Sequence, residues 1–170
     1  MTPLRMEQMY SGQLAFLVAF FFMLTPFVCF TASTMAAMDV AKQVLIGADY
    51  SHKDLAGATF NLSNLREANL SGSDLHGASL YGAKLQDADL SNTDLREATL
   101  DSAVLIGTNL RNAVLEGAFA FNTRFTNVVI TGADFTDVPM RADQIKSLCG
   151  VADGTNPVTG RDTRESLGCN

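Results

Sequence analysis

Along the middle of the chain, large apolar residues recur among polar ones on a beat of five. Leucine stands at 65, 70, 75, 80, 85, 90, 95, 100, 105, 110 and 115. Extended in both directions, the register runs from Ala48 to Ala142 without an insertion, nineteen pentads in all. The central residue of each pentad is bulky and apolar, and the residue two before it is small: Ala58 with Phe60, Ala68 with Leu70, Ala88 with Leu90, Ala98 with Leu100. The remaining positions are mostly polar.

This period predicts neither ordinary element. An α-helix advances about 100° per residue, so positions five apart would scatter the leucines around its circumference. A flat strand alternates its side chains with period two, and an odd repeat would send successive leucines to opposite faces. Both recurring positions face inward only if the chain bends at each pentad boundary, where glycine stands at 57, 72, 77, 82, 107, 117 and 132. The expected product is a closed coil whose turns stack at about 4.8 Å and satisfy one another's backbone groups.

The first forty residues follow a different pattern. Leu14 to Phe30 carries no charge, follows Arg5 and precedes the small-residue run Thr31 to Ala37. That is the layout of an export signal, with cleavage expected after Ala36. The rival reading is a retained membrane anchor, a hydrophobic helix over 14–30, whose length reaches the low end of the about 17–25 residues that span a bilayer. Pro26, Phe27 and Val28 do not suit lipid modification of Cys29.

Composition narrows the function classes. Twelve Lys and Arg against eighteen Asp and Glu give a formal charge of -6, the wrong sign for ordinary phosphate-backbone binding. No nucleic acid partner is expected. Eleven Phe, three Tyr and no Trp leave a core of aliphatic and small residues.

The pentads, as in Ala68-Asn69-Leu70-Ser71-Gly72 and Ala88-Asp89-Leu90-Ser91-Asn92, resemble the pentapeptide-repeat family. The resemblance implies an all-β fold, a right-handed quadrilateral β-helix with four pentads per turn. Residues twenty apart then stack, with Leu55, Leu75, Leu95, Leu115 and Phe135 in one interior ladder and Leu65, Leu85, Leu105 and Phe125 in another. Lys53 in a small-residue slot and Ala120 in a bulky one mark two pentads expected to be distorted. The tail, with Leu148-Cys149, Gly154 to Gly160 and Thr163 to Cys169, is similar to the ending of thylakoid-lumen members. The implied localisation is the thylakoid lumen or periplasm of a photosynthetic cell. The domain reading is a signal or anchor over 1–36, an N-terminal cap over 37–47, the β-helix over 48–142 and a C-terminal cap over 143–170.

With Cys29 lost in the signal, two cysteines remain in an exported chain, and Cys149 is expected to pair with Cys169. A stacked helix has open end coils that something must cover. Ala142 to Val151 reads as a short capping helix with Ile145 and Leu148 on one face. The functional alternative for the cysteines is a redox-regulated bond.

Catalytic chemistry is hard to find. No GxxxxGK or GxGxxG occurs, and His52 and His76 fall on different sides with no metal-type partner beside either. Neither metal nor cofactor is implied, and an enzyme is not expected. Asp54, Asp74, Asp94 and Asp134 share one outward column interrupted by Val114, read as turn chemistry rather than a cation stripe. More informative are Tyr81, Val104, Ile106, Phe119 and Phe121, apolar residues at outward positions on two adjoining sides. Such a patch either accepts the chain's own capping segment or marks a partner surface. The leading expectation is a non-catalytic lumenal scaffold or protein-interaction module. Its partner would be a photosystem subunit or assembly factor, with membrane attachment through the N-terminal segment if that is uncleaved. The alternative is an acidic DNA mimic acting on DNA gyrase, as the resemblance to gyrase-protecting members implies. Twelve acidic and seven basic residues between Ala48 and Ala142 leave no continuous negative face for that role.

Overall fold

The structure, a computed structural model, describes residues 37–169. The signal or anchor expected over 1–36, with its hydrophobic helix, lies outside these residues, and no helix among them is long and apolar enough to cross a membrane.

The pentads wind into stacked coils with a rise of twenty residues per turn. Parallel bridges join Asp39 to Thr59, Thr59 to Ser79, Asp54 to Asp74 and Val114 to Asp134, always twenty apart. Each coil therefore has four sides. Side 1 is centred on Val40, Phe60, Leu80, Leu100 and Ala120. Side 2 is centred on Leu45, Leu65, Leu85, Leu105 and Phe125. Side 3 runs through Tyr50, Leu70, Leu90, Leu110 and Ile130, and side 4 through Leu55, Leu75, Leu95, Leu115 and Phe135. Two pentads of side 2 lengthen into strands, β1 (Val104–Ile106) and β2 (Arg124–Thr126), paired in parallel with Leu105 opposite Phe125.

The pentad 68–72 shows how the backbone is satisfied. Ala68 N–H closes the turn onto Leu65 O (3.1 Å), Asn69 N–H reaches back one coil to Ala48 O (2.9 Å), and Leu70 and Gly72 N–H reach forward to Asp89 O and Ser91 O (both 2.8 Å). The fifth donor, Ser71 N–H, has no ladder partner and bonds the Asn69 side chain at 3.1 Å. Every backbone donor is thus used, as a buried chain requires. The turn explains the pentad boundary. The last residue of every pentad from Lys42 to Asp137, except Asn122, has φ between +52° and +71°. A positive φ at the third turn position marks a type II turn, for which glycine carries no steric cost. Leu62, Glu67 and Ser102 adopt the same conformation, so glycine marks only part of the corners.

The interior is apolar and mainly aliphatic. Leu65 through Leu115 in the ladder, Phe60 and Phe135 are 0–1% exposed, and Phe125 meets Phe135 edge-on at 6.3 Å. Where Ser or Thr takes the small slot, its hydroxyl donates to a carbonyl: Ser63 to Phe60 O, Ser73 to Leu70 O and Thr93 to Leu90 O, each at 2.6 Å. Each of these slot hydroxyls is therefore satisfied without interrupting the stack.

The coils extend from Met38 to Asp137, which corrects two expected boundaries. Residues 38–47, expected as a cap, form the first two pentads, with Asp39 and Val44 bridged to Thr59 and Asn64. They escape the register because Met38 and Gln43 fill the small-residue slots. At the other end, Pro139 stands where a residue would donate to the coil before it; lacking an N–H, it takes 138–142 out of the ladder. Lys53 leaves its pentad regular, pointing to solvent with Gly57 at φ +66°. The Ala120 pentad does depart from the pattern: Asn122 loses the left-handed corner, and its backbone N–H bonds Asp101 Oδ1 at 3.0 Å.

The tail takes the place of a sixth coil. Helix α1 (Ala142–Cys149) buries Gln144 and Leu148, and α2 (Thr163–Ser166) is capped by the Asp162 side chain. Ile145, expected on the buried face of α1, is only half-buried, because Gln144 turns inward to donate to Thr123 O. Asp153 O accepts from Gly132 N–H (2.8 Å) and Ser166 Oγ from Phe135 N–H (3.0 Å). These are donors that a further coil would otherwise receive. The Cys149–Cys169 disulfide, with Cα atoms 5.7 Å apart, closes the tail on itself.

Candidate functional site

The four sides are not equivalent, and the difference starts from the residue before each pentad centre. On sides 3 and 4 that residue is Asp or Asn in eight of ten pentads. All eight accept from the backbone N–H two residues on, at 2.9–3.2 Å, as Asp49, Asp54, Asn69, Asp74, Asp89, Asp94, Asn109 and Asp134 do. These side chains occupy the one donor that the ladder leaves unpaired. The acidic column of side 4 is therefore a set of turn clamps, as expected from sequence. Arg96 further engages Asp94 through Nε at 2.9 Å, and that hydrogen bond is the main reason the Asp94 carboxyl is held below the ordinary carboxylate range.

On sides 1 and 2 only Asp39 and Asn64 keep this clamp. Thr, Ser, Lys, Arg, Val and Phe fill the other positions. Charge follows the same division. The pentads of sides 3 and 4 between 38 and 137 carry nine carboxylates and three cations, while those of sides 1 and 2 carry four of each. The whole net negative charge of the coils thus faces one way.

The candidate patch lies on the unclamped sides. Phe119, Phe121 and Tyr81 on side 1 are 57%, 53% and 45% exposed. Val104 and Ile106 on side 2 are half-buried, flanking the inward Leu105 in β1. Tyr81 is held by the coil before it, its backbone N–H donating to Asn61 Oδ1 at 3.1 Å. Leu62, 52% exposed at the corner between the two sides, also belongs to this surface. Nothing in its local sequence marks it; only the four-sided register places it there.

The tail settles on the opposite corner. Asn156, 1% exposed, donates through Nδ2 to Gly132 O (2.8 Å), Ala113 O (3.2 Å) and Asn112 O (3.3 Å), where sides 3 and 4 meet. Arg161 spans Asp134 and Glu116 on side 4, at 3.1 Å to each. Beside that clamp Val114, which interrupts the acidic column, is 5% exposed. Burial alone would raise the Asp134 carboxyl, but hydrogen bonds from Thr136 and Thr159 and the Arg161 charge outweigh it and hold the carboxyl below its ordinary value. Among the described residues, then, the capping segment covers the clamped sides and leaves Phe119 and Phe121 open. His52 and His76 sit on neighbouring sides, and no group of three or more metal-ligating side chains occurs among the described residues.

The family profile described as Pentapeptide repeats matches residues 44–77, 78–117 and 108–141, in eight copies. The chain is a pentapeptide-repeat protein. Its fold is the right-handed quadrilateral β-helix of the family. A pentapeptide repeat protein of the Arabidopsis thaliana thylakoid lumen, known from a crystal structure, is 50% identical, with a TM-score of 0.75 over 76% of this chain and 90% of that one. The pentapeptide repeat protein Rfr23 of the cyanobacterium Cyanothece is 30% identical over 59% of this chain and 79% of that one, with a TM-score of 0.50. The thylakoid lumenal 15 kDa protein 1 of Arabidopsis thaliana is 63% identical over 38 residues, 22% of this chain and 17% of that protein. The thylakoid lumenal protein TL20.3 of the same plant matches over 13% of its length, so the chain spans only a small part of these two relatives. The localisation is that of the relatives, the thylakoid lumen.

Proposed function

We propose that this pentapeptide-repeat protein is a non-catalytic interaction module of the thylakoid lumen, presenting the patch around Tyr81, Phe119 and Phe121 to a protein partner. The observation that carries this reading is the path of the tail. The chain's own cap seals the far corner through Asn156 and Arg161, while two phenylalanines more than half exposed stay uncovered on side 1. Large aromatic residues cost solubility at a surface and are enriched where proteins meet. Val104 and Ile106 extend the patch across the corner onto side 2. A photosystem subunit, or a factor that assembles one, is the class of partner that shares this compartment. The coil's stacked hydrogen bonds make it a rigid support, which limits the ordering cost of binding.

The test is affinity capture from solubilised thylakoid membranes with the wild-type chain and the Phe119→Ser/Phe121→Ser variant. The reading predicts partners that are recovered with the wild type and lost with a variant whose circular dichroism is unchanged. Equal recovery by both proteins contradicts it.

A further inference from the structure

We infer that the N-terminal end of the coil stack is a docking edge and that its occupant is the same edge of a second copy of this chain. The surface is separate from the aromatic patch, and the inference goes beyond the reading built on that patch. Three observations carry it.

The first is the backbone of the first coil. In later coils the residue before the pentad centre directs both its N–H and its C=O at the coil before it: Thr59 N–H donates to Met38 O at 2.7 Å, and Thr59 O accepts from Val40 N–H at 2.8 Å. The equivalent residues of the first coil, Asp39, Val44, Asp49 and Asp54, direct the same two groups at the open end, and among the described residues neither group has a partner. A residue that turns both groups to an edge is the one that an antiparallel neighbour pairs by exchanging both bonds. A two-fold axis perpendicular to the stack sets two such edges antiparallel on all four sides.

The second is the core at that end. Val40, Leu45 and Tyr50 fill the interior positions of sides 1, 2 and 3 but are only half-buried, whereas Phe60, Leu65 and Leu70 one coil on are fully buried. Beside them Val44 and Ile46 are 74% and 52% exposed. An unpaired edge with apolar contents is a template for pairing with another chain.

The third is what the chain has left to cover this end. The tail covers the other end through Asp153, Asn156 and Ser166. At the first coil the register begins at Ala37, which lies over the Gly57 corner: a Cβ at Gly57 would come 3.8 Å from that of Ala37. With cleavage after Ala36, the processed chain starts at the edge itself and keeps no segment to lay across it. Because the tail blocks stacking of this end on another copy's far end, the association is two-fold and closes at a dimer. Charge permits it, since three carboxylates and two lysines in residues 38–57 leave one net negative charge per edge.

The experiment is sedimentation velocity on the chain as the cell processes it, with hydrogen exchange at the lowest and highest concentrations. One coil end is a small interface, so the average mass is expected to double between about 1 and 300 μM. The amides of Val44, Asp49 and Asp54 are expected to exchange about tenfold more slowly at the upper concentration. Val44→Pro, which removes an edge donor but none of the hydrogen bonds within the described residues, and Leu45→Lys are both expected to stay monomeric with unchanged circular dichroism. Phe119→Ser/Phe121→Ser is expected to dimerise like the wild type. A monomer at every concentration overturns the inference, as does a dimer that survives in both folded edge variants. Loss of the dimer in the serine variant moves the contact to the aromatic patch and overturns it too. Slow edge exchange that does not depend on concentration means that the chain covers its own end, which contradicts a second copy as occupant.

Discussion

Asn156 Nδ2 lies 2.8 Å from Gly132 O, and the backbone N–H of the same glycine bonds Asp153 O at 2.8 Å. One residue of the tail thus reaches the carbonyl at a coil corner that the ladder leaves without a partner, while its neighbour takes the donor that would have met a sixth coil. The cap is built on this corner.

Replacing Asn156 with Ala leaves the corner carbonyls of Asn112 and Gly132 without a donor and removes the acceptor for Val158 and Thr159 N–H. The expected loss is about 2–3 kcal/mol of stability, read as a lowered midpoint in chemical denaturation with an unchanged far-ultraviolet spectrum at rest.

The corner glycines differ in what lies beneath them. A Cβ at Gly72 would come within 2.5 Å of His52 Nδ1, whereas one at Gly77 would meet nothing within 4 Å, though both have φ above +60°. Gly77→Ala is expected to cost about 1 kcal/mol from backbone strain alone. Gly72→Ala is expected to cost more, with the excess removed by His52→Ala. A double-mutant cycle checks this coupling.

The Asp134 carboxyl is held below its ordinary value by Thr136, Thr159 and Arg161 against the opposing effect of burial. A depressed folded pKa contributes stability that is complete above the unfolded value of about 4 and is lost as pH falls through the folded one. Asp134→Asn is therefore expected to be less stable than wild type near neutrality, by about 1–2 kcal/mol after allowing for the exposed Arg161. The difference should shrink towards zero as the solution is acidified through that range. Urea titrations at a series of pH values measure it.

Reduction of Cys149–Cys169 frees the tail without touching the coils. The expected cost is about 3 kcal/mol in the chain-entropy account. Hydrogen exchange should show the amides of Gly132 and Phe135, held by Asp153 and Ser166, losing protection first. Protection at Leu70 and Leu90 should stay near its oxidised level.

The coil itself was legible because a bulky residue every five positions admits few backbones, and the four-sided count came with the family resemblance. The cysteine pair was legible because Cys29 falls in the segment expected to be an export signal or anchor, which leaves Cys149 and Cys169 as the two cysteines of the tail. Other features were hidden. Met38 and Gln43 obscure the first two pentads by filling small slots, and Pro139 closes the ladder through a missing N–H that hydropathy does not register. Corners at Leu62 and Glu67 carry no glycine, since the turn imposes its positive φ on whatever residue stands there. The exposure of Phe119 and Phe121 followed from their place in the pentad, but whether the tail covers them depended on Asn156 and Arg161, long-range contacts that no local pattern encodes.

The most direct test of the two-sided account is site-specific photocrosslinking in thylakoid membranes. A photoreactive side chain is placed at Tyr81 or Arg124 on the unclamped sides, and at Ser71 or Arg96 on the clamped ones. The account predicts that the first two positions link to one common protein and the last two do not. Crosslinks to that protein from Ser71 or Arg96, with none from Tyr81 or Arg124, would contradict it.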